Sequence, residues 1–352
     1  MNLYIGSYTQ DGSPAPNPVG QGIGCFGFDA ETGELSINNY IPLRNPSYLT
    51  LSEDGKYLYA VEELLPALTP HVFAYKLDKQ GELFPINSQQ LDGGYACHLA
   101  VVKGSLVVAN YMSGDCLVFP IQNDGSLAPC QQQIQHHGAS LNQQRQEGPH
   151  IHMAYPFDED GLLLVDLGID RVKAYRFNSS DSLWEDNLEL DIVLPGGTGP
   201  RHLVSDQQAN YFYLLSELSG EIFVFRKSKS SFDLVQQASV IPADYSGEFG
   251  GAAIRIHPNG RFLYASNRGA DVIAVFEIIE GDKNRLSLVA FQACGGQTPR
   301  DFNIDPSGNW LLVANQDSNK LVVFKIDLEK GGLTRTSEIE CGTPTAICWS
   351  PH

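Results

Sequence analysis

A chain of 352 residues with 42% apolar and 18% charged residues, 34 Gly and 20 Pro has the composition of strands and turns, and no long helical pattern runs through it. Its formal net charge of -18 argues against nucleic acid and anionic membrane surfaces as partners, because both require a basic face. No run approaches about 18 consecutive apolar residues, and the opening MNLYIGSYTQ has neither a basic n-region nor a long apolar h-region, so a cytoplasmic protein without membrane span or secretory signal is expected.

From the N-terminus, NLYIGSYT, GIGCFGFDA and ELSINNYI read as three successive strands. A four-strand unit then repeats, with copies starting near Pro46, Gly94, Pro149, Pro200, Gly251 and Pro299. In these units strand a ends in a tight turn such as TLSEDGKY, YPFDEDGLL, RIHPNGRF or NIDPSGNW, where Pro, Asn, Asp and Gly supply the turn torsions. Strand b ends on a short polar anchor, and strand c carries an aromatic nine positions later: Asn110 and Phe119, Asp166 and Tyr175, Ser216 and Phe225, Asn267 and Phe276, Asn315 and Phe324. The anchors recur every 48 to 56 residues. Turns such as LDKQGELF, QNDGSLA and LEKGGLT lead into a more polar outer strand d. The C-terminus supplies a lone strand a, TPTAICWS, which completes the three N-terminal strands.

The expected fold is therefore all-β, a single seven-bladed β-propeller over residues 1-352, with four-stranded antiparallel blades and a three-plus-one closure of blade 1. A β-sandwich competes poorly, since it needs no repeat of about 50 residues. A closed ring gives no reason to oligomerise, so a monomer is expected. Seven scattered Cys without a CxxC pair read as reduced, buried thiols.

The long insertions, Gln10 to Gly22, Leu64 to Pro70, CQQQIQHHGASLNQQRQEG and ADYSGEFG, all fall on the face that carries the b-c connections, here called the top. Two columns of residues meet there near the axis. Those entering strand a are Ser47, Tyr95, His150, Arg201, Ala252, Arg300 and Thr345; those following the strand b anchor are Glu63, Tyr111, Leu167, Glu217, Arg268 and Gln316. His150, Arg201, Glu217, Arg268 and Arg300 thus converge as an anion site with an acid/base pair. The bland alternative is that Arg201 and Arg268 brace blades through Glu217, and that Arg300 pairs with the adjacent Asp301. His152 lies about 6.6 Å deeper along strand a than His150, and His202 and His98 are expected to hydrogen-bond within the channel wall. His150 and His152 form an HxH pair, but no acidic cluster accompanies it and its neighbours are cationic, so neither a metal nor any other cofactor is expected. GxSxG, Walker and strand-borne GxGxxG motifs are absent.

GGTGPRHLVSDQQANYFYLLSELSGEIFVF, GGAAIRIHPNGRFLYASNRGADVIAVFEI, TPRDFNIDPSGNWLLVANQDSNKLVVFKID and EGPHIHMAYPFDEDGLLLVDLGIDRVKAYRF resemble blades of the bacterial propeller-type 6-phosphogluconolactonase family, and the similarity covers essentially the whole chain. That family includes fungal carboxymuconate cyclases, whose His, two Arg and Glu correspond here to His150 or His152, Arg201, Arg268 and Glu217. The resemblance implies a metal-independent carboxylic ester hydrolase of carbohydrate metabolism, in the pentose phosphate pathway, acting on a small anionic sugar lactone. Glu217 or His150 would serve as general base, Arg201 and Arg268 as charge stabilisers, and Arg300 with His152 as phosphate contacts. His202, Tyr111 and Gln316 complete the expected substrate-binding set. Two other readings stay open: a carboxymuconate-type cyclase or isomerase, and a non-catalytic binding scaffold, which exposed Tyr95, Tyr111 and Tyr245 would suit.

Overall fold

The computed structural model describes residues 1–279, 281 and 285–350 of the chain, so the last two residues of the expected 1-352 domain lie outside the described residues. Seven antiparallel sheets follow one another around an axis. Blade 1 joins the C-terminal strand Pro344–Trp349 to Asn2–Ser7, Ile23–Phe28 and Leu35–Ile41, which is the expected three-plus-one closure. Two single-turn 3₁₀ segments, Pro66–Leu68 and Leu188–Leu190, are the only helical elements among the described residues.

Alternation places one face of each sheet against the next, and strands b and c are buried almost throughout. The aromatics that follow the anchors, Phe119, Tyr175, Phe225, Phe276 and Phe324, all lie in these interblade layers. Each such side chain contributes about 1.5–3 kcal/mol of transfer free energy. A recurrent hydrogen bond sets the register between blades. The strand b hydroxyls of Tyr4, Tyr59 and Tyr264 donate to the carbonyls of Gly81, Gly125 and Gly331 in the c-d turn of the next blade, at 2.8, 3.1 and 2.9 Å. The close approach requires glycine: at Gly125, with φ +83, an added Cβ would meet the Tyr57 ring at 2.2 Å.

The structure departs from expectation in blades 3 and 4. The segment CQQQIQHHGASLNQQRQEG is not all insertion: Gln132–Gln135 forms the outer strand of blade 3, paired with Asp115–Pro120. Ile134 is what makes it a strand, since it turns inward against the interblade core while its Gln neighbours face outward. Blade 4 divides its outer strand in two, Leu183–Asp186 and Ile192–Val193, around the 3₁₀ turn that buries Leu190.

At the axis strand a carries a regular bulge. In blade 5 Pro200 pairs with Ser216 and His202 with Leu215, leaving Arg201 without a partner on strand b. The same shift frees Cys97, His152, Arg300 and Thr345, and in blade 6 sets Ala252 and Ala253 against Ser266. A bulge of this kind turns the extra side chain out of the sheet's alternation.

The closure rests on Leu3, Ile5, Phe28, Ile347 and Trp349, with the Phe28 and Trp349 rings 5.1 Å apart. Deleting residues 343–352 is expected to expose the edge of Asn2–Ser7 and to convert a monodisperse protein into a self-associating one, as read by light scattering.

Candidate active site at the top of the axis

The two columns are built by one backbone bond repeated in every blade. The amide after each strand b anchor donates to the carbonyl two residues before the bulge: Tyr8 to Thr343, Glu63 to Asn45, Tyr111 to Tyr95, Leu167 to His150, Glu217 to Gly199, Arg268 to Gly250 and Gln316 to Thr298. This register adds Tyr8 to the second column and corrects the first. The equivalents of Arg201 and Arg300 in blades 3 and 4 are Cys97 and His152, not Tyr95 and His150. The shared Gly-Pro of Gly148-Pro149-His150 and Gly199-Pro200-Arg201 suggests a false alignment, because blade 4 is two residues out of step at that point.

Glu217 is the centre of the site. Its Oε2 lies 3.0 Å from Arg201 Nε and 2.8 Å from Arg268 Nη2, and its Oε1 accepts from Arg145 Nη2. Arg201 also donates to the carbonyl of Ala252. Its Nε–H is not aligned on Glu217, so that contact is an ion pair rather than a hydrogen bond. Burial alone would raise the Glu217 carboxyl, but Arg268, Arg201 and Arg145 hold it well below the usual carboxylate range. Burial, with Arg268 and Arg300 nearby, lowers Arg201 to about 10, still charged at neutral pH.

Arg300 pairs with Glu63 rather than Asp301. Its Nη2 is 3.5 Å from Glu63 Oε2, its guanidinium lies 5.1 Å over the Tyr8 ring, and Tyr8 donates to Glu63 at 2.8 Å. Asp301 instead meets Arg255 at 3.0 Å. Blades 1 to 3 therefore contribute Tyr8, Glu63 and Tyr111 to the mouth beside the residues of blades 4 to 7.

His150 and His152 do different things. The His150 ring stacks on Tyr111, 4.4 Å between centroids, and its Nδ1 lies 2.8 Å from the Tyr111 carbonyl. A carbonyl only accepts, so Nδ1 carries a proton; Nε2 lies 3.2 Å from the Glu147 carboxylate on the solvent side, a contact that is attractive when Nε2 is protonated too. His152 is buried below it and begins a line of rings down the channel: His152 to His202 at 5.3 Å, His202 to His98 at 5.6 Å, His98 to Tyr48 at 4.3 Å. Nδ1 of His98, His152 and His202 has no hydrogen-bond partner in this wall, and His202 Nε2 lies 3.4 Å from Arg201. Desolvation, then Arg255 and Arg201, lowers His98 to about 3, and desolvation with Arg201 pushes His152 and His202 well below the usual range. All three are neutral imidazoles. Gln316 is buried, bonded through Nε2 to Asp317 at 2.8 Å, with Oε1 unpartnered.

Arg145 is the residue that sequence reasoning missed. It lies in the Gln-rich insertion, carries no repeat signal, and reaches the site only because Gln146 is buried beside it, donating to Leu167 O at 2.8 Å. Among the described residues, no group of three or more His, Cys, Asp or Glu side chains is placed to hold a metal ion, and no helix is long and apolar enough to cross a membrane.

Residues 2–349 match the family model described as "Lactonase, 7-bladed beta-propeller". The chain is 35% identical over 338 residues to a 6-phosphogluconolactonase of Bacillus subtilis, covering 94% of this chain and 93% of that one. It is 33% identical over 350 residues to a 6-phosphogluconolactonase of Formosa agariphila, covering 95% and 94%. The solved structure of a periplasmic gluconolactonase of Pseudomonas aeruginosa superposes with a TM-score of 0.91 at 30% identity, covering 99% of each chain.

The neutral histidines make stability acid-sensitive in a defined window. Their folded pKa values lie below the unfolded value of about 6.5, so stability is full above that pH and falls as the unfolded chain takes up protons that the folded one refuses. Each contributes a slope of about 1.4 kcal/mol per pH unit. Urea unfolding between pH 7 and pH 5 is expected to show this slope, and His98→Phe to remove one histidine's share; an unchanged slope would mean that His98 is protonated in the folded state.

Proposed function

The chain belongs to the seven-bladed β-propeller lactonase family, and we propose that it hydrolyses a phosphorylated sugar lactone, 6-phosphogluconolactone, at the top of its axis. The observation that carries this reading is the meeting of Arg145, Arg201 and Arg268 on Glu217, with His150 joined to the cluster through Tyr111, in a protein whose net charge is -18. The names of the relatives supply the substrate class.

In this reading His150 is the base. Glu217, under three guanidinium groups, binds a proton too weakly for that task, whereas His150, its Nδ1–H held by the Tyr111 carbonyl, takes the proton on Nε2 once the lactone and its water displace Glu147 from that atom. Water attacks the lactone carbonyl and gives one proton to His150 Nε2. The carbonyl oxygen becomes an oxyanion, which Arg201 and Arg268 stabilise at the expense of their contacts with Glu217. Collapse of the intermediate breaks the bond to the ring oxygen, which takes the proton back from His150. The product is the open-chain hydroxy acid, and its ionised carboxylate stays compatible with the same arginines. Glu147, on the rim, stabilises the transient imidazolium. Glu217 holds Arg201 and Arg268 together against their mutual repulsion.

Freshly prepared 6-phosphogluconolactone, assayed by coupling product formation to its oxidation, tests the reading. Arg201→Ala and Arg268→Ala are each expected to lower kcat/KM about a hundredfold, or about 3 kcal/mol of barrier, and His150→Gln to do at least as much. Full turnover in both arginine variants would sink the assignment.

A further inference from the structure

The two groups first expected to hold the phosphate are not placed to receive a dianion. Arg300 is committed to Glu63 and Tyr8, and His152 is a buried neutral imidazole. The third guanidinium on Glu217 is placed differently. Arg145 comes from the insertion between blades 3 and 4, its side chain is 42% exposed, and both of its contacts, to Tyr111 Oη at 3.2 Å and to Glu217, are made by Nη2 alone. Its Nε and Nη1 make no hydrogen bond among the described residues. Each fork of a guanidinium pairs one of these free nitrogens with Nη2, so release of Nη2 from Glu217 completes the paired donors that phosphate oxygens accept side by side.

The loop holds the Arg145 backbone still. Ser140 Oγ donates to Asp170 and its amide donates to the Gln146 carbonyl, Asn142 Oδ1 accepts from the amides of Gln144 and Arg145 at 3.1 and 3.2 Å, and Gln146 is fully buried. The loop backbone is thus already ordered, and the cost left when an anion binds is the breaking of the Arg145 contact with Glu217. Charge points the same way. Arg145, Arg201, Arg268 and Arg300 face Glu63, Glu217 and Glu147, four positive charges against three negative. The positive surplus favours an anion, and Arg201 and Arg268 are occupied at the reacting carbonyl.

We propose that Arg145 is the specificity residue of the site: it leaves Glu217 to grip the phosphate of the substrate, so that the loop from Ser140 to Glu147 discriminates phosphorylated from unphosphorylated sugar lactones. This rests on the hydrolase reading above, and the experiment separates the two. The intact protein and its Arg145→Ala and Arg145→Lys variants are assayed on 6-phosphogluconolactone and on glucono-δ-lactone, and inorganic phosphate is titrated into each by calorimetry. The expected result is that Arg145→Ala loses about a hundredfold in kcat/KM on the phosphorylated lactone, chiefly through KM, and less than about fivefold on the other, with phosphate affinity down at least tenfold. Arg145→Lys, which keeps the charge without the fork, is expected to recover part of the KM. Equal losses on both lactones would reduce Arg145 to a positioning residue for Glu217 and overturn the proposal, as would phosphate affinity unchanged in Arg145→Ala. Should the intact protein hydrolyse neither lactone, the hydrolase reading fails, and the phosphate titration alone decides for or against Arg145.

Discussion

Strand a of nearly every blade carries one more residue at its axial end than strand b can pair. Seven sheets converge there, and a residue released from the ladder has nowhere to point but the channel. Where function asks nothing, the released position is Cys97, Ala252 or Thr345. Where the site is, the same geometry presents Arg201, Arg300 and His152. The functional mouth is an irregularity that the repeat already contains, filled unequally.

Buried charge then has to be balanced. Arg201 sits in the wall with its guanidinium desolvated, and Glu217 is the counter-charge that keeps it there; Glu63 does the same for Arg300. Below this layer the channel turns neutral, because imidazoles shielded from water and flanked by Arg201 and Arg255 cannot hold a proton. The excess of arginine over carboxylate gathers at one mouth, while Arg255 and Asp301 further along the channel pair with each other.

The repeat was legible because each blade obeys local rules: a polar anchor closing strand b, an aromatic nine residues on, and a Gly-containing turn. The second column of the site was equally legible, since one residue follows each anchor without exception, and Glu217 and Arg268 were found that way. The first column was not. Gly148-Pro149-His150 resembles Gly199-Pro200-Arg201 as a string, yet the hydrogen bond from Leu167 to the His150 carbonyl places His150 with Gly199 and His152 with Arg201. Asp301 misled for a related reason: adjacency in sequence is not contact, and the side chain meets Arg255.

The amino-acid sequence by itself determined the number of blades, the closure of blade 1 and the face on which Glu217 and its arginines meet, because periodicity, turn residues and alternation act over a few residues and repeat often enough to average out exceptions. Tertiary structure alone decided the axial register of each blade, the outer strand hidden among the glutamines at Gln132–Gln135, and the contact of Arg145 with Glu217 across 72 residues. Those outcomes depend on where seven separate sheets come to rest around a shared axis, a long-range geometry for which no single segment carries a local signal.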